Sequence, residues 1–281
     1  MTISGFLPQR WRSTPEAARH AEAIAGVLHT PPLERTAGGP AVVSLLGTAE
    51  VLAYLVAIKS LRHRLRRGSV AIVDDGTLTG EDRAILAHHC GDPEIVPHQA
   101  VRRGPFPAGG AWAALLTVLD RRAGQYWIAL DPRTVTLGEV PEIEAAIASN
   151  RSFALTGGEA KGGEARRAER RLAVLCGTRG WRYHTGCTGL TGFAAGGAGR
   201  ALAAAFCEEA AVIGETATAE WTRNVILANE AEPVLLPRDR YRPVAGPSSL
   251  TDATVVHFTN GPGEGEAYID ASCRAIAQLA V

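Results

Sequence analysis

Apolar and polar positions along this chain follow two rhythms. Ala41-Val42-Val43-Ser44-Leu45-Leu46-Gly47 is a short, almost wholly apolar run, which marks a strand buried on both faces, as in a parallel sheet. Val51, Leu52, Leu55, Ile58 and Leu61 follow at three- and four-residue spacing. That spacing predicts an amphipathic helix, capped by Thr48 and ending in the basic stretch 62–67 and Gly68. A strand over 69–73, a helix over 81–89 capped by Thr79 and a strand over 94–96 complete a βαβαβ pattern, which means an α/β fold with a parallel sheet. A helix over 112–119 leads to a strand over 126–130 that stops at Asp131-Pro132. Proline cannot donate to a central ladder, so Pro132 lies at or beyond the strand end. Asp131 is thereby placed at the carboxyl end of a buried strand, where open α/β sheets bind ligands.

The second half predicts a short helix over 141–148, a strand over 153–155 and a charged helix over 166–175. Residues 183–193 are too rich in glycine for a plain strand, and glycines there signal close backbone approach. Helices over 200–214 and 220–228, strands over 234–237 and 254–258, and a closing helix over 267–279 follow. The glycine-rich stretch 157–163 reads as a flexible flap, because Lys161 lacks the flanking pattern of a phosphate-binding P-loop. Ahead of the first strand, Thr14 as N-cap and Pro15 at the first helical position predict one helix over 15–28. Pro31-Pro32 and Gly38-Gly39-Pro40 then break the chain. The expected division is an N-terminal helical arm over 1–39 and a single α/β domain over 40–281 with a mixed, mostly parallel sheet.

Composition narrows the partners. Lys plus Arg and Asp plus Glu both total 29, and no basic stripe interleaves with aromatics, which argues against nucleic acid as the main partner. A chain of 281 residues buries a substantial core without metal or disulfide staples. Its five cysteines form no C-x-x-C pair and read as reduced thiols. No apolar run approaches the roughly 20 residues of a membrane span, and the N-terminus lacks a signal-peptide core. A cytoplasmic location is the expectation. His88-His89 and His98 show no metal-like partners in sequence and read as residues of a surface helix and a loop.

Six segments in order, spanning roughly 41–270, resemble the GT-A family of nucleotide-sugar-dependent glycosyltransferases. They are the strand-then-helix start at 42–67; Ile72-Val73-Asp74-Asp75-Gly76, similar to the family's VDDG turn; 126–138, where members typically read YLDSDTVVLG; 184–193, like the small-residue stretch before GF; Glu220 opening a helix with Asn224; and Val255-Val256-His257-Phe258, like the late VHF. The resemblance implies a GT-A-like single domain that binds a nucleotide-diphosphate sugar, a UDP-sugar first among them, and transfers the sugar to an acceptor. It implies donor contacts from Leu46, Gly47, Asp74, Asp75, Asp131 and His257, and sugar contacts from Thr185, Gly186 and Gly189. Glu220 is the implied acid/base or acceptor group, with Glu215 as runner-up, since an inverting transfer needs a carboxylate to take the acceptor's proton.

The family's Mn or Mg ion, held by Asp-x-Asp and a histidine, neutralises charge on the leaving diphosphate. Here Asp131 matches the first aspartate, but Arg133 stands in the second place. Arginine does not coordinate metal. Three readings stay open. Arg133 itself neutralises the diphosphate without metal; or Asp131 and His257 still hold a weak metal; or catalysis is lost, and the chain is a GT-A-like pseudoenzyme acting as a binding or scaffolding partner. Each residue also has a plainer reading. Asp-Asp-Gly is a favoured turn, Glu220 suits a helix N-terminus with Thr218 as cap, and Glu139 or Glu142 could pair with Arg133. His184-Thr185-Gly186 departs from the family's Asn-x-Gly. A nucleotidyltransferase wants a glycine-rich basic loop after its first strand, and Gly47-Thr48-Ala49-Glu50 is not one.

Overall fold

The structure is a computed structural model that describes residues 7–12, 14–36, 38–157, 162–197, 199–244, 250–259 and 265–280. In chain order it runs α1 (Pro15–Ile24), β1 (Ala41–Leu46), α2 (Val51–Leu65), β2 (Ser69–Asp74), α3 (Gly80–His89), β3 (Glu94–Pro97), α4 (Gly110–Arg121), β4 (Trp127–Leu130), β5 (Thr134–Thr136), α5 (Pro141–Ala148) and β6 (Phe153–Thr156). It continues with α6 (Gly163–Thr178), β7 (Gly186–Phe193), α7 (Arg200–Val212), α8 (Ala219–Ala228), β8 (Val234–Leu236), β9 (Tyr241–Val244), β10 (Val255–Phe258) and α9 (Gly265–Leu279). The large sheet has the order β3-β2-β1-β4-β7-β6-β8. Its pairs are parallel except those of β7, which runs antiparallel to β4 and β6. A small sheet, β5-β10-β9, stands beside it.

Strand residues alternate between two cores. Val42, Val70, Ile72 and Ile128 pack with Leu55, Ile58 and Leu61 of α2, while Val43, Ala71, Val73 and Trp127 pack with Leu116, Phe206 and Val225 on the other face. This two-sided burial explains why the parallel strands read as continuous apolar runs rather than alternating ones.

Helix α2 departs from the amphipathic expectation. It is buried almost all round, with Lys59, Ser60 and Arg62 among its buried residues. The arm provides the cover, since α1 and the 3-10 turn Ala25–His29 pack on α2. The predicted single arm helix is thus an α-helix followed by a 3-10 turn, with Thr14 accepting from the Ala17 amide. Lys59 is fully buried, and its Nζ donates to Thr30 O (3.1 Å), Thr30 Oγ1 (2.7 Å) and Pro31 O (2.8 Å). It also lies 3.0 Å from His89 Nδ1. His89 is therefore not the surface residue its sequence context suggests. Burial lowers the Lys59 ammonium to about 8. Burial, reinforced by the charges of Lys59, His88 and His29, lowers the His89 imidazole to about 4.

Thr48 does not cap α2, which starts without a side-chain cap after a 3-10 turn. Its hydroxyl goes instead to Asp82 Oδ2 (2.6 Å). Asp82 is fully buried and closes the α3 capping box with Thr79. Its other oxygen accepts from Arg10 Nε (3.1 Å) and Trp11 Nε1 (3.2 Å) of the arm. The glycine-rich stretch is a full strand, β7, contrary to expectation. Its glycines leave room for neighbours: a side chain on Gly192 would overlap the Phe153 ring and the Tyr126 hydroxyl, and one on Gly186 would crowd Asn224. The expected flap falls partly outside the described residues. Strands β5 and β9 have no counterpart in the sequence reading, because three- and four-residue strands carry too little pattern.

Removing the Lys59 ammonium leaves the buried Thr30 carbonyl and hydroxyl, and the Pro31 carbonyl, without this donor. Lys59→Met is expected to lower the urea-unfolding free energy by about 1–3 kcal/mol and to speed proteolysis near residues 30–40. Stability is also expected to fall with acid. His89 titrates in the fold at about 4, below its usual 6.5, so the unfolded chain takes up the proton first. The contribution is whole above pH 6.5, is lost between 6.5 and about 4, and is flat below. Urea midpoints at about pH 7.5 and about pH 4.5 measure it, and His89→Gln should shrink the difference.

Candidate functional site

Pro132 ends β4, and a tight turn redirects the chain into β5. The Asp131 amide donates to Gly189 O of β7 (2.9 Å), and the Thr134 amide donates back to Asp131 O (3.0 Å). Asp131 Oδ1 accepts from the Arg133 amide (2.8 Å). Thr134 Oγ1 donates to Gly189 O (2.8 Å) and lies 3.2 Å from His257 Nδ1. His257, on β10 opposite Thr134, is buried, with Nδ1 3.8 Å from Asp131 Oδ1. Gly189 carries no side chain because the His257 imidazole occupies that space. Arg133 Nε donates to Phe258 O (3.2 Å), and its guanidinium carbon stands 4.9 Å from the centre of the Tyr268 ring on α9. His20 of the arm stacks on the same ring at 4.0 Å. Asp131, Arg133, His257 and Gly189 therefore converge.

The ends of β1 and β2 adjoin this group. Asp75 N donates to Leu46 O (3.1 Å), and Gly47 lies directly against the Asp75 carboxylate. The two aspartates differ. Asp74 is buried, accepts from the Gly76 amide (2.8 Å) and pairs with Arg83. Asp75 is exposed and accepts from Thr77, from both its amide (2.9 Å) and its hydroxyl (2.6 Å). Both carboxylates hold the turn. Glu50 sits in the same field: burial first, then the negative charges of Asp131 and Asp75, raise its carboxyl above the usual range, with Arg133 opposing. A cleft of about 830 Å³ runs between arm and body, lined by Trp11, His20, Glu50, Arg133, Glu266 and Tyr268. Burial and then the Arg133 charge lower the His20 imidazole to about 4. Glu50, His20 and Tyr268 belong to no motif. Only their placement in the fold marks them.

Thr185, Gly186 and Glu220 form a separate group. Thr185 Oγ1 donates to Glu169 Oε1 (2.7 Å), and Tyr183 Oη donates to the same oxygen (3.2 Å). Gly186 faces Asn224 of α8. Glu220 lies one turn before Asn224, in the first turn of α8, where Thr218 accepts from the Trp221 amide (3.1 Å). β7 links this group to Gly189, three residues or about 10 Å along a strand. The runner-up Glu215 is paired with Arg171 (2.6 Å). Glu139 and Glu142 do not take Arg133: they pair with Arg64 and Arg240.

The donor set fits a divalent ion poorly. Asp131 and His257 supply two side chains, the Asp131 oxygen nearest the imidazole already accepts the Arg133 amide, and the place of the pattern's second aspartate is held by Arg133, whose guanidinium lies against Phe258 O and the Tyr268 ring. Among the described residues no group of three His, Cys, Asp or Glu side chains could hold a metal.

No family model matches the sequence, and no curated protein matches it. Solved structures do match. The galactosyltransferase LgtC, in complex with donor and acceptor sugar analogues, superimposes with a TM-score of 0.57 at 11% identity, over 83% of this chain and 95% of that one. The bifunctional glycosyltransferase WbbM in its apo form gives 0.53 at 11% identity, over 84% of this chain and 50% of its own. The chain has the GT-A fold of nucleotide-sugar glycosyltransferases. No helix among the described residues is long and apolar enough to cross a membrane.

Gly189 offers a direct check of the convergence. Gly189→Ala forces the new methyl into His257 and is expected to cost about 1–3 kcal/mol in urea unfolding. Gly177→Ala, in open space on α6, is the control and should not destabilise.

Proposed function

We propose that this chain is a glycosyltransferase that moves a sugar from a nucleotide-diphosphate donor, a UDP-sugar, to an acceptor, with Arg133 in place of the family's metal. One observation carries the reading: in a fold shared with glycosyltransferases, Asp131, Arg133 and His257 converge at the carboxyl end of β4. A fixed cation at that point suits the charge that develops on a leaving diphosphate, and arginine can meet it with paired hydrogen bonds. Leu46, Gly47 and Asp75 adjoin that end and would face the nucleoside, with Asp74 shaping their turn. Gly189, Gly186 and Thr185 would line the sugar. Glu220 would serve the acceptor as base, from its own group along β7. The arm, 1–39, would wall the cleft of the transferase domain, 40–281. The thiol pattern supports a cytoplasmic setting.

A second reading has its own support. Arg133 is engaged inside the fold, by Phe258 O and the Tyr268 ring, which suits a catalytically inactive GT-A-like pseudoenzyme acting as a binding or scaffolding partner.

Donor hydrolysis with and without EDTA separates these readings. Turnover is expected to survive EDTA, and Arg133→Ala should lower kcat by about 10²–10³-fold. Turnover that collapses in EDTA, or an Arg133→Ala enzyme of unchanged activity, overturns the arginine role. UDP binding by calorimetry with no turnover on any donor points to the inactive partner. Absence of both UDP binding and turnover overturns the transferase reading and favours the scaffolding partner.

A further inference from the structure

The large sheet has a second opening at its other end, where the strands begin. A cavity of about 540 Å³ lies among the first residues of β1, β2 and β4, the 33–36 segment and the turn before β3. Arg62, in the last turn of α2, lines it and is only 5% exposed. Its Nη2 donates to Thr36 Oγ1 (3.2 Å). Among the described residues, Nε and Nη1 are buried with no hydrogen-bond partner. Thr36 is itself committed, accepting from the Gly68 amide (2.9 Å) and donating to Gly68 O (3.2 Å).

Buried charge is normally paired, and buried N–H groups are normally answered. Among the described residues Arg62 has no acidic partner, and two of its three nitrogens are unanswered. Two more arginines stand at the rim, and both are taken: Arg35 by Asp92 (3.6 Å) and Arg121 by Glu94 (2.6 Å). Glu34 is exposed at the mouth. Arg62 is thus a lining cation with no acidic partner among the described residues, and its Nε and Nη1 edge is shut off from the open space. Burial also pushes the guanidinium below its usual range, the direction an unpaired cation takes.

We propose that this cavity binds an oxyanion, the phosphate or carboxylate end of a small molecule, through Arg62. A guanidinium whose Nε and Nη1 edge turns to the cavity on binding presents paired N–H groups that match two oxygens of such a group. The volume lies within the range of ligand pockets and leaves room for the rest of the molecule. This site lies at the opposite end of the strands from Asp131, so it stands or falls independently of the proposed transferase.

Thermal unfolding in an oxyanion-free buffer, titrated with inorganic phosphate or with acetate at constant ionic strength, tests it. A saturable rise in Tm of about 3 °C is expected from at least one anion, and which one responds identifies the chemistry. Arg62→Met, which keeps the stem and removes the charge, should abolish the rise, whereas Arg133→Ala should keep it. Phosphorus-31 line broadening, or acetate methyl broadening in proton spectra, on the unaltered protein gives the same answer should Arg62→Met fold poorly. No saturable response to either anion, a rise that persists in Arg62→Met, or one that vanishes in Arg133→Ala overturns the proposal.

Discussion

The candidate site rests on one backbone contact, the hydrogen bond from the Asp131 amide to Gly189 O. It joins the end of β4 to the antiparallel strand β7, and everything nearby takes its position from that seam. Thr134 reaches the same carbonyl with its hydroxyl, which fixes the start of β5. β5 pairs with β10 and brings His257 opposite Thr134. The imidazole then fills the space that Gly189 leaves. Any side chain at 189 would separate these elements, so the glycine content of β7 belongs to the architecture. It does not weaken the strand into a loop.

The two readings of function turn on the charge carried by one turn. In the second place of the Asp-x-Asp pattern, an acid would share a cation with Asp131. Arg133 supplies the positive charge covalently, with its guanidinium steadied by Phe258 O and Tyr268. Covalent charge cannot be lost to a chelator or exchanged, and it cannot follow the leaving group. Its usefulness would depend on how near a bound diphosphate came to the guanidinium. Glu50 sits in the same field, where burial first, then Asp131 and Asp75, make it hold its proton more tightly and Arg133 opposes them. The site thus has a second group whose ionisation depends on the first.

The parallel half of the fold was legible because strands buried on both faces leave unbroken apolar runs, as at 41–46 and 69–73. The stop at Pro132 located Asp131 for the same local reason: a missing donor ends a ladder. What stayed hidden was set by distant contacts. The Gly186–Phe193 strand reads as too glycine-rich for a plain strand, with close approach expected but its partners unknown, until Asn224, His257 and Phe153 are seen against its glycines. Helix α2 reads as one-sided until the arm covers its other face, and His89 reads as a surface residue until it is found beside Lys59. The site divides in the same way. Asp131, Arg133 and His257 lie on motifs and converge, whereas Glu50, His20 and Tyr268 are chosen by neighbours far away in sequence. Glu220 carries a motif yet belongs to a group further along β7.

Asp82 binds three parts of the chain with one carboxylate: Thr79 at its own helix, Thr48 beyond β1, and Arg10 with Trp11 in the arm. During synthesis the arm leaves the ribosome ahead of the sheet, yet its anchor exists only after β1, β2 and α3 have been made and assembled. The arm is thus made early and docks late. Until then Arg10, Trp11 and the covered face of α2 are left in water, and the chain must be shielded there if it is to avoid sticking to its neighbours.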